Sequence, residues 1–157
     1  MVIVGTGDPK VCMDLGEFAQ QHPDQFAFIN GFSSEHAHLV EAGADFFLMP
    51  SQFEPCGLNQ MYSLAYGTIP IVRSVGGLKD TVIDYSNDSE GTGFVFDDPT
   101  PYALLSCIRR ALLAFYEDAG KFRAMQQRGM RTRFTWEAAA KAQEGGVPDE
   151  RRPEQGQ

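Results

Sequence analysis

Basic side chains are scarce in this chain of 157 residues: 13 Lys and Arg stand against 21 Asp and Glu, a formal charge of −8. Nucleic-acid affinity comes chiefly from Lys and Arg on phosphates, so that balance excludes a nucleic-acid partner as the main function. It leaves room for a small phosphate ligand held by backbone amides. Cysteine is also sparse. The three residues, Cys12, Cys56 and Cys107, are widely spaced and odd in number, which argues against a disulfide framework and for a reducing cytoplasm. No apolar run approaches the roughly 18–20 residues of a membrane span, so no membrane partner is expected. The opening Met-Val-Ile-Val-Gly lacks the basic end and long apolar stretch of a signal peptide and reads as a chain entering directly on a strand. There is no internal repeat.

What remains is a soluble profile, 43% apolar and 22% charged, long enough for one domain with a real core. Short apolar runs alternate with helical periodicity. Val2–Val4, Phe26–Ile29, Asp45–Met49, Ile69–Val72 and Phe94–Phe96 read as strands. Helices are expected from Lys10 to Gln21 with Val11, Leu15 and Phe18 on one stripe, and from Ser33 or Ser34 to Ala42. Others are expected over Leu58–Tyr66, Leu78–Asp84, Pro101–Glu117, Gly120–Arg131 and Trp136–Lys141. In the long helix Leu104, Ile108, Leu112 and Phe115 align. The alternation predicts an α/β fold: a doubly wound, mostly parallel, Rossmann-like sheet with ligands at the carboxyl ends of its strands. The domain is expected over 1–142. Residues 143–157, rich in Gly, Pro and charge, read as a disordered tail.

The chemistry concentrates between Pro50 and Thr68. Glu54 sits in a loop between a strand and a helix, and Gly57 lets the backbone approach a ligand closely. The amides of Gly57, Leu58 and Asn59 fall at a helix N-terminus, where backbone donors and the helix dipole favour phosphate. A carboxylate beside such a cradle suits a sugar nucleotide, because carboxylates accept hydrogen bonds from sugar hydroxyls; a capped helix entry with a solvated glutamate is the plainer reading. Gly76-Gly77 opens a second loop of the same kind after the next strand. Gly5-Thr6-Gly7 is only a partial dinucleotide fingerprint, since Lys10 stands at its third glycine position. His36 and His38 lie on different helix faces, so no metal site is expected. Cys56 has no histidine at an activating spacing. Arg109, Arg110, Arg128, Arg131 and Arg133 read as helix-surface charges, and Phe134 and Trp136 as packing aromatics.

The stretch FEPCGLNQMYSLAYGTIPIVRSVGGLKDTV, with the lead-in GADFFLMPS and the later GTGFVF and FTWEAAAK, resembles the signature block of glycogen and starch synthases that use ADP-glucose. The resemblance runs from Val2 to about Lys141. It implies a GT-B architecture, of which this chain would be the C-terminal, donor-holding half. The implied activity is retaining transfer of glucose from ADP-glucose to the non-reducing end of an α-1,4-glucan. No cofactor is implied beyond that donor substrate.

By position, Glu54 would hold hydroxyls of the glucosyl ring, the amides of Cys56 and Gly57 would line the sugar, and those of Leu58 and Asn59 would meet the distal phosphate. Phe32 would stack on adenine without the hydroxyl of the tyrosine found there in relatives, and Gly76 and Gly77 would lie beside the donor. Tyr62 stands where a broader group of retaining transferases has a second glutamate, which fits the synthase branch.

The same resemblance implies that a phosphate-binding arginine and lysine, a histidine and the acceptor groove come from segments outside this sequence, including an N-terminal domain. The chain is therefore expected to be a fragment, located in a cytoplasm or plastid, inactive alone and prone to self-association. The alternative is a non-catalytic remnant that binds a nucleotide sugar or a partner.

Overall fold

The computed structural model describes residues 1–132 and Phe134. The helix expected from Trp136, the tail from 143 and Arg133 lie outside them. The described chain runs β1 (Val2–Gly5), α1 (Pro9–Gln21), β2 (Ala27–Asn30), α2 (Ser34–Gly43), β3 (Phe46–Met49), α3 (Asn59–Tyr66), β4 (Ile69–Arg73), α4 (Gly76–Thr81), β5 (Phe94–Phe96), α5 (Pro101–Glu117) and α6 (Ala119–Arg131). Every strand and helix expected from periodicity within this range is present. Local chemistry explains the boundaries. Asp8 caps α1 by accepting from the Lys10 and Val11 amides at 2.9 and 3.1 Å, with Pro9 preset for the first turn. Of the two serines expected to start α2, Ser33 is the cap. Gly67, at φ +82°, ends α3 in the left-handed region that an L side chain avoids.

All strand pairs are parallel, as α/β alternation requires. They do not form the single expected sheet. β1 pairs with β2, while β3, β4 and β5 form a second sheet in that order. The three-stranded sheet carries the core. Ile69 and Ile71 of β4 and Phe94 and Phe96 of β5 pack against Cys107, Ala111 and Ala114 of α5 and Phe122 and Met125 of α6. Met49, Val72, Leu78 and Val82 form a smaller cluster. Adjacent β4 residues thus enter different clusters, as strand alternation dictates.

Two expected apolar stripes are corrected. In α5 the buried line is Cys107, Ala111 and Ala114; Leu104, Ile108 and Phe115 flank it, and Leu112 is exposed. Small residues let the helix approach the sheet closely, which the sizes along the predicted stripe concealed. In α1, Val11 and Phe18 remain about half exposed and no residue is buried. A sheet of two strands is too narrow to cover a helix of 13 residues. Among the described residues no helix is long and apolar enough to cross a membrane.

Candidate functional site

Three loops meet at the carboxyl edge of the larger sheet: 50–58 after β3, Ser74-Val75 after β4, and the segment after Phe96. Arg73, at the end of β4, fastens them. Its guanidinium donates to the carbonyls of Ser51 and Gln52 at 3.0 and 2.9 Å and to that of Asp97 at 3.1 Å. A planar fork of fixed donors suits that task better than a point charge.

The loop 54–57 is braced from its other side by α4. The Gly77 amide donates to the Glu54 carbonyl at 3.2 Å. A Cβ on Gly76 would overlap the Glu54 carbonyl oxygen, and one on Gly77 would overlap that of Cys56. Glycine is required at both positions by backbone-to-backbone approach, and at Gly76 by φ +43° as well. Gln60 completes the brace. It is fully buried, and its amide nitrogen lies 3.2 Å from the Cys56 carbonyl, 2.9 Å from that of Gly57 and 3.0 Å from Thr81 Oγ1. Thr81 in turn donates to the Gly77 carbonyl at 2.6 Å. Among the described residues Gln60 Oε1 has no hydrogen-bond donor, and a Cβ on Gly57 would lie 2.5 Å from it. Gly57, at φ +67°, is thus glycine for two local reasons before any ligand is considered.

Among the described residues, the amides of Cys56, Gly57, Leu58 and Asn59 donate to no protein acceptor. They open α3, whose N-cap Leu58 offers no side-chain acceptor. This is an entry for an anion, left unsatisfied by the protein itself. The carboxylate of Glu54, half-buried beside it, has no hydrogen-bond or ion-pair partner among the described residues. Gly76 likewise keeps its amide unengaged, whereas the expected donor at Gly77 is taken by Glu54.

Phe32 follows β2 on the other sheet and is 91% exposed, so the structure brings it into no contact with the Glu54 loop. Cys56 is an exposed free thiol. Among the described residues no cluster of three potential metal ligands exists. His38 instead meets the rings of Tyr62 and Tyr66, with centroids 5.3 and 6.2 Å away.

Sequence reasoning missed Arg73 and Gln60, the two side chains that hold the loop. Both lie inside the signature block, and a polar residue on the inward face of a short helix was the available signal for Gln60. Two arginines expected on the surface are bound. Arg110 pairs with Asp84 at 2.7 Å and Arg128 donates to the Gly91 carbonyl at 2.9 Å. Burial raises the pKa of Asp84, but hydrogen bonds from Arg110, Ser86 and Val95 outweigh it and hold the carboxyl below the usual range. At Glu41, burial pushes the pKa up against a weaker pull from His38. A shallow apolar concavity on α5, lined by Leu105, Leu112, Leu113 and Tyr116 among others, contains none of the signature-block residues.

Parallel strands with crossover helices, and an unsatisfied helix entry beside a free carboxylate at their carboxyl edge, define the class to which comparison leads. The family described as glycosyl transferases group 1 matches residues 1–127, and the chain belongs to it. Within it, the chain is 61% identical over 137 residues to a glycogen synthase of Aeromonas hydrophila, a match covering 87% of this chain and 28% of that protein. It is 57% identical over 141 residues to a glycogen synthase of Photobacterium profundum, covering 89% and 28%. The catalytic domain of starch synthase IV from Arabidopsis thaliana, solved with ADP and acarbose, superposes with a TM-score of 0.79 at 28% identity, over 90% of this chain and 31% of that one. Sucrose-phosphate synthase from Thermosynechococcus elongatus gives 0.64 at 28% identity, over 92% and 36%. The architecture is that of one half of a GT-B glycosyltransferase. The chain spans less than a third of the length of the curated relatives it matches.

Proposed function

We propose that this chain is the donor-binding half of a retaining glucosyltransferase that moves glucose from ADP-glucose to the non-reducing end of an α-1,4-glucan. The observation that carries the reading is the run of four unengaged amides from Cys56 to Asn59 beside the unpaired carboxylate of Glu54. In the reaction, negative charge grows on the departing phosphate as the glycosidic bond breaks. Amides fixed at a helix entry stabilise that charge without reorganising. Glu54 accepts hydrogen bonds from the sugar hydroxyls and orients the ring. Phe32 supplies a flat face for adenine. The glucan, and the second wall of the cleft, belong to the remainder of the longer protein. No cofactor enters the chemistry, the chain alone does not turn over, and its setting is a reducing cytoplasm or plastid.

Calorimetric titration with ADP-glucose tests this, with UDP-glucose and the Glu54→Gln variant as comparisons. Saturable binding should favour the adenine donor. It should weaken about 10-fold or more in the variant, since a hydrogen bond to a charged group contributes roughly 1.5–3 kcal/mol. Binding that is indifferent to both the base and Glu54 would refute the assignment of this loop.

A further inference from the structure

Helix α5 is apolar on two opposite faces. Its inward line, Cys107, Ala111 and Ala114, is buried against the larger sheet. At about 100° per residue the opposite face carries Tyr102, Leu105, Arg109, Leu112, Leu113 and Tyr116. Five of those six are aliphatic or aromatic and all five are exposed, Tyr102 by 83%, Leu105 by 64% and Tyr116 by 78%. A surface helix normally turns charged residues to solvent on the side away from the core. Here that side has the composition of an interface core, in which tyrosine and arginine are enriched and lysine and glutamate are depleted.

Two charges frame the patch. Arg109 lies within it and Glu117 borders it, and both line the shallow concavity on α5 together with Leu105, Leu112, Leu113 and Tyr116. Neither has an ion-pair partner among the described residues. They stand eight residues apart, about 12 Å along the axis, and so do not pair within one helix.

Between two helices they can. Two copies of α5 packed face to face about a twofold axis have two choices. Running parallel, they set Arg109 against Arg109 and Glu117 against Glu117. Running antiparallel, with the axis between Leu112 and Leu113, they set Leu112 against Leu113 and each Arg109 beside Tyr116 and Glu117 of the other copy. Only the second arrangement joins unlike charges, and it brings a guanidinium to a tyrosine ring. The chain beyond the described residues offers little to compete for the patch. Residues 135–157 hold two aliphatic or aromatic side chains larger than alanine, Trp136 and Val147.

We propose that the outward face of α5 is a docking surface for a second copy of this chain, the two helices running antiparallel with Arg109 of each against Tyr116 and Glu117 of the other. A helix of 17 residues is about 25 Å long and about 10 Å wide. One such face covers less than the roughly 1,200 Å² at which stable complexes begin, so the dimer is weak and forms only as the chain is concentrated. The inference rests on α5 alone and is independent of the nucleotide-sugar reading.

Sedimentation velocity of the chain from about 10 µM to about 1 mM should show a reversible monomer–dimer equilibrium. Arg109→Glu removes two symmetric ion pairs and sets like charges in their place, so it should weaken the dimer by about tenfold. Glu117→Arg should do the same, and the double swap should restore most of the lost association. Leu113→Glu sets two carboxylates beside the axis and should leave the chain monomeric. All three side chains are exposed, and circular dichroism confirms that each variant keeps the fold. A parent chain that stays monomeric throughout overturns the proposal. So does association that Arg109→Glu and Leu113→Glu leave unchanged, because another surface would then drive it. A double swap that associates no better than either single variant overturns the antiparallel pairing.

Discussion

One methyl group placed at two different glycines should move stability in opposite directions. At Gly77 a Cβ would overlap the Cys56 carbonyl oxygen and lie 2.6 Å from the carbonyl carbon and 2.8 Å from the Cys56 Cα. Ordinary carbon contacts are about 3.5–4.0 Å, so the loop must retreat from α4 by roughly 1 Å. That retreat stretches the Gly77 amide from Glu54 and pulls the Cys56 carbonyl away from Gln60, bonds of 3.2 Å each. Two hydrogen bonds at about 1 kcal/mol each, with about 1–3 kcal/mol for overpacking, make Gly77→Ala about 3–5 kcal/mol destabilising. For a chain of this length the melting temperature should fall by roughly 6–20 °C.

Gly16, inside α1, has nothing within 4 Å of the position its Cβ would take. Gly16→Ala should therefore stabilise by about 0.5–1 kcal/mol through helix propensity and a less disordered unfolded chain. Thermal melts and urea titrations followed by circular dichroism measure both. If Gly77→Ala melts with the parent, the close approach of α4 to the 54–57 loop does not exist as described.

The two perturbed carboxyls predict opposite pH slopes. Asp84 holds its proton less tightly in the folded state, so its contribution is complete above the ordinary value near 3.9 and fades as pH falls through the lowered folded value. Asp84→Asn should remove that limb from an acid-unfolding profile. Glu41 binds its proton more tightly when folded, so stability declines as pH rises from the ordinary value near 4.3 through the raised one. Glu41 Oε2 is buried with no hydrogen-bond partner among the described residues, and Glu41→Gln should raise stability at pH 7 and flatten that decline. A variant less stable than the parent at pH 7 would show that the carboxylate is satisfied after all.

The elements were legible because their signals are local: a serine at 33 or 34 able to cap α2, helical periodicity, and β-rich apolar runs between. Packing was less so. The α5 stripe was read from Leu104, Ile108, Leu112 and Phe115, whereas the residues fully buried against the sheet are Cys107, Ala111 and Ala114, whose small volumes allow close approach. The divided sheet was beyond a reading by periodicity, which identifies strands but not their neighbours. The 50–68 segment declared itself by glycine, carboxylate and helix entry. What the sequence concealed there was the competition for those groups. Gly76 and Gly77 look like ligand glycines, yet backbone contact with Glu54 and Cys56 already demands them.

That competition bears on how the site works. A flexible anion loop loses conformational freedom on binding, at about 1–2 kcal/mol per residue fixed. Here the loop is already held before a ligand arrives. Arg73 fixes Ser51 and Gln52, Gly77 fixes Glu54, and Gln60 fixes Cys56 and Gly57. Ordering therefore contributes little to the cost of binding an anion at Cys56–Asn59, and charge dominates instead. The Arg73 guanidinium beside the loop turns its three hydrogen bonds inward, toward carbonyls, and the whole chain carries −8. The amides provide shape and a partial dipole equivalent to about half a positive charge, well short of neutralising the pyrophosphate of the proposed donor. A site ordered in advance yet short of positive charge discriminates by fit, and its affinity rises most when a cation is brought to its open side.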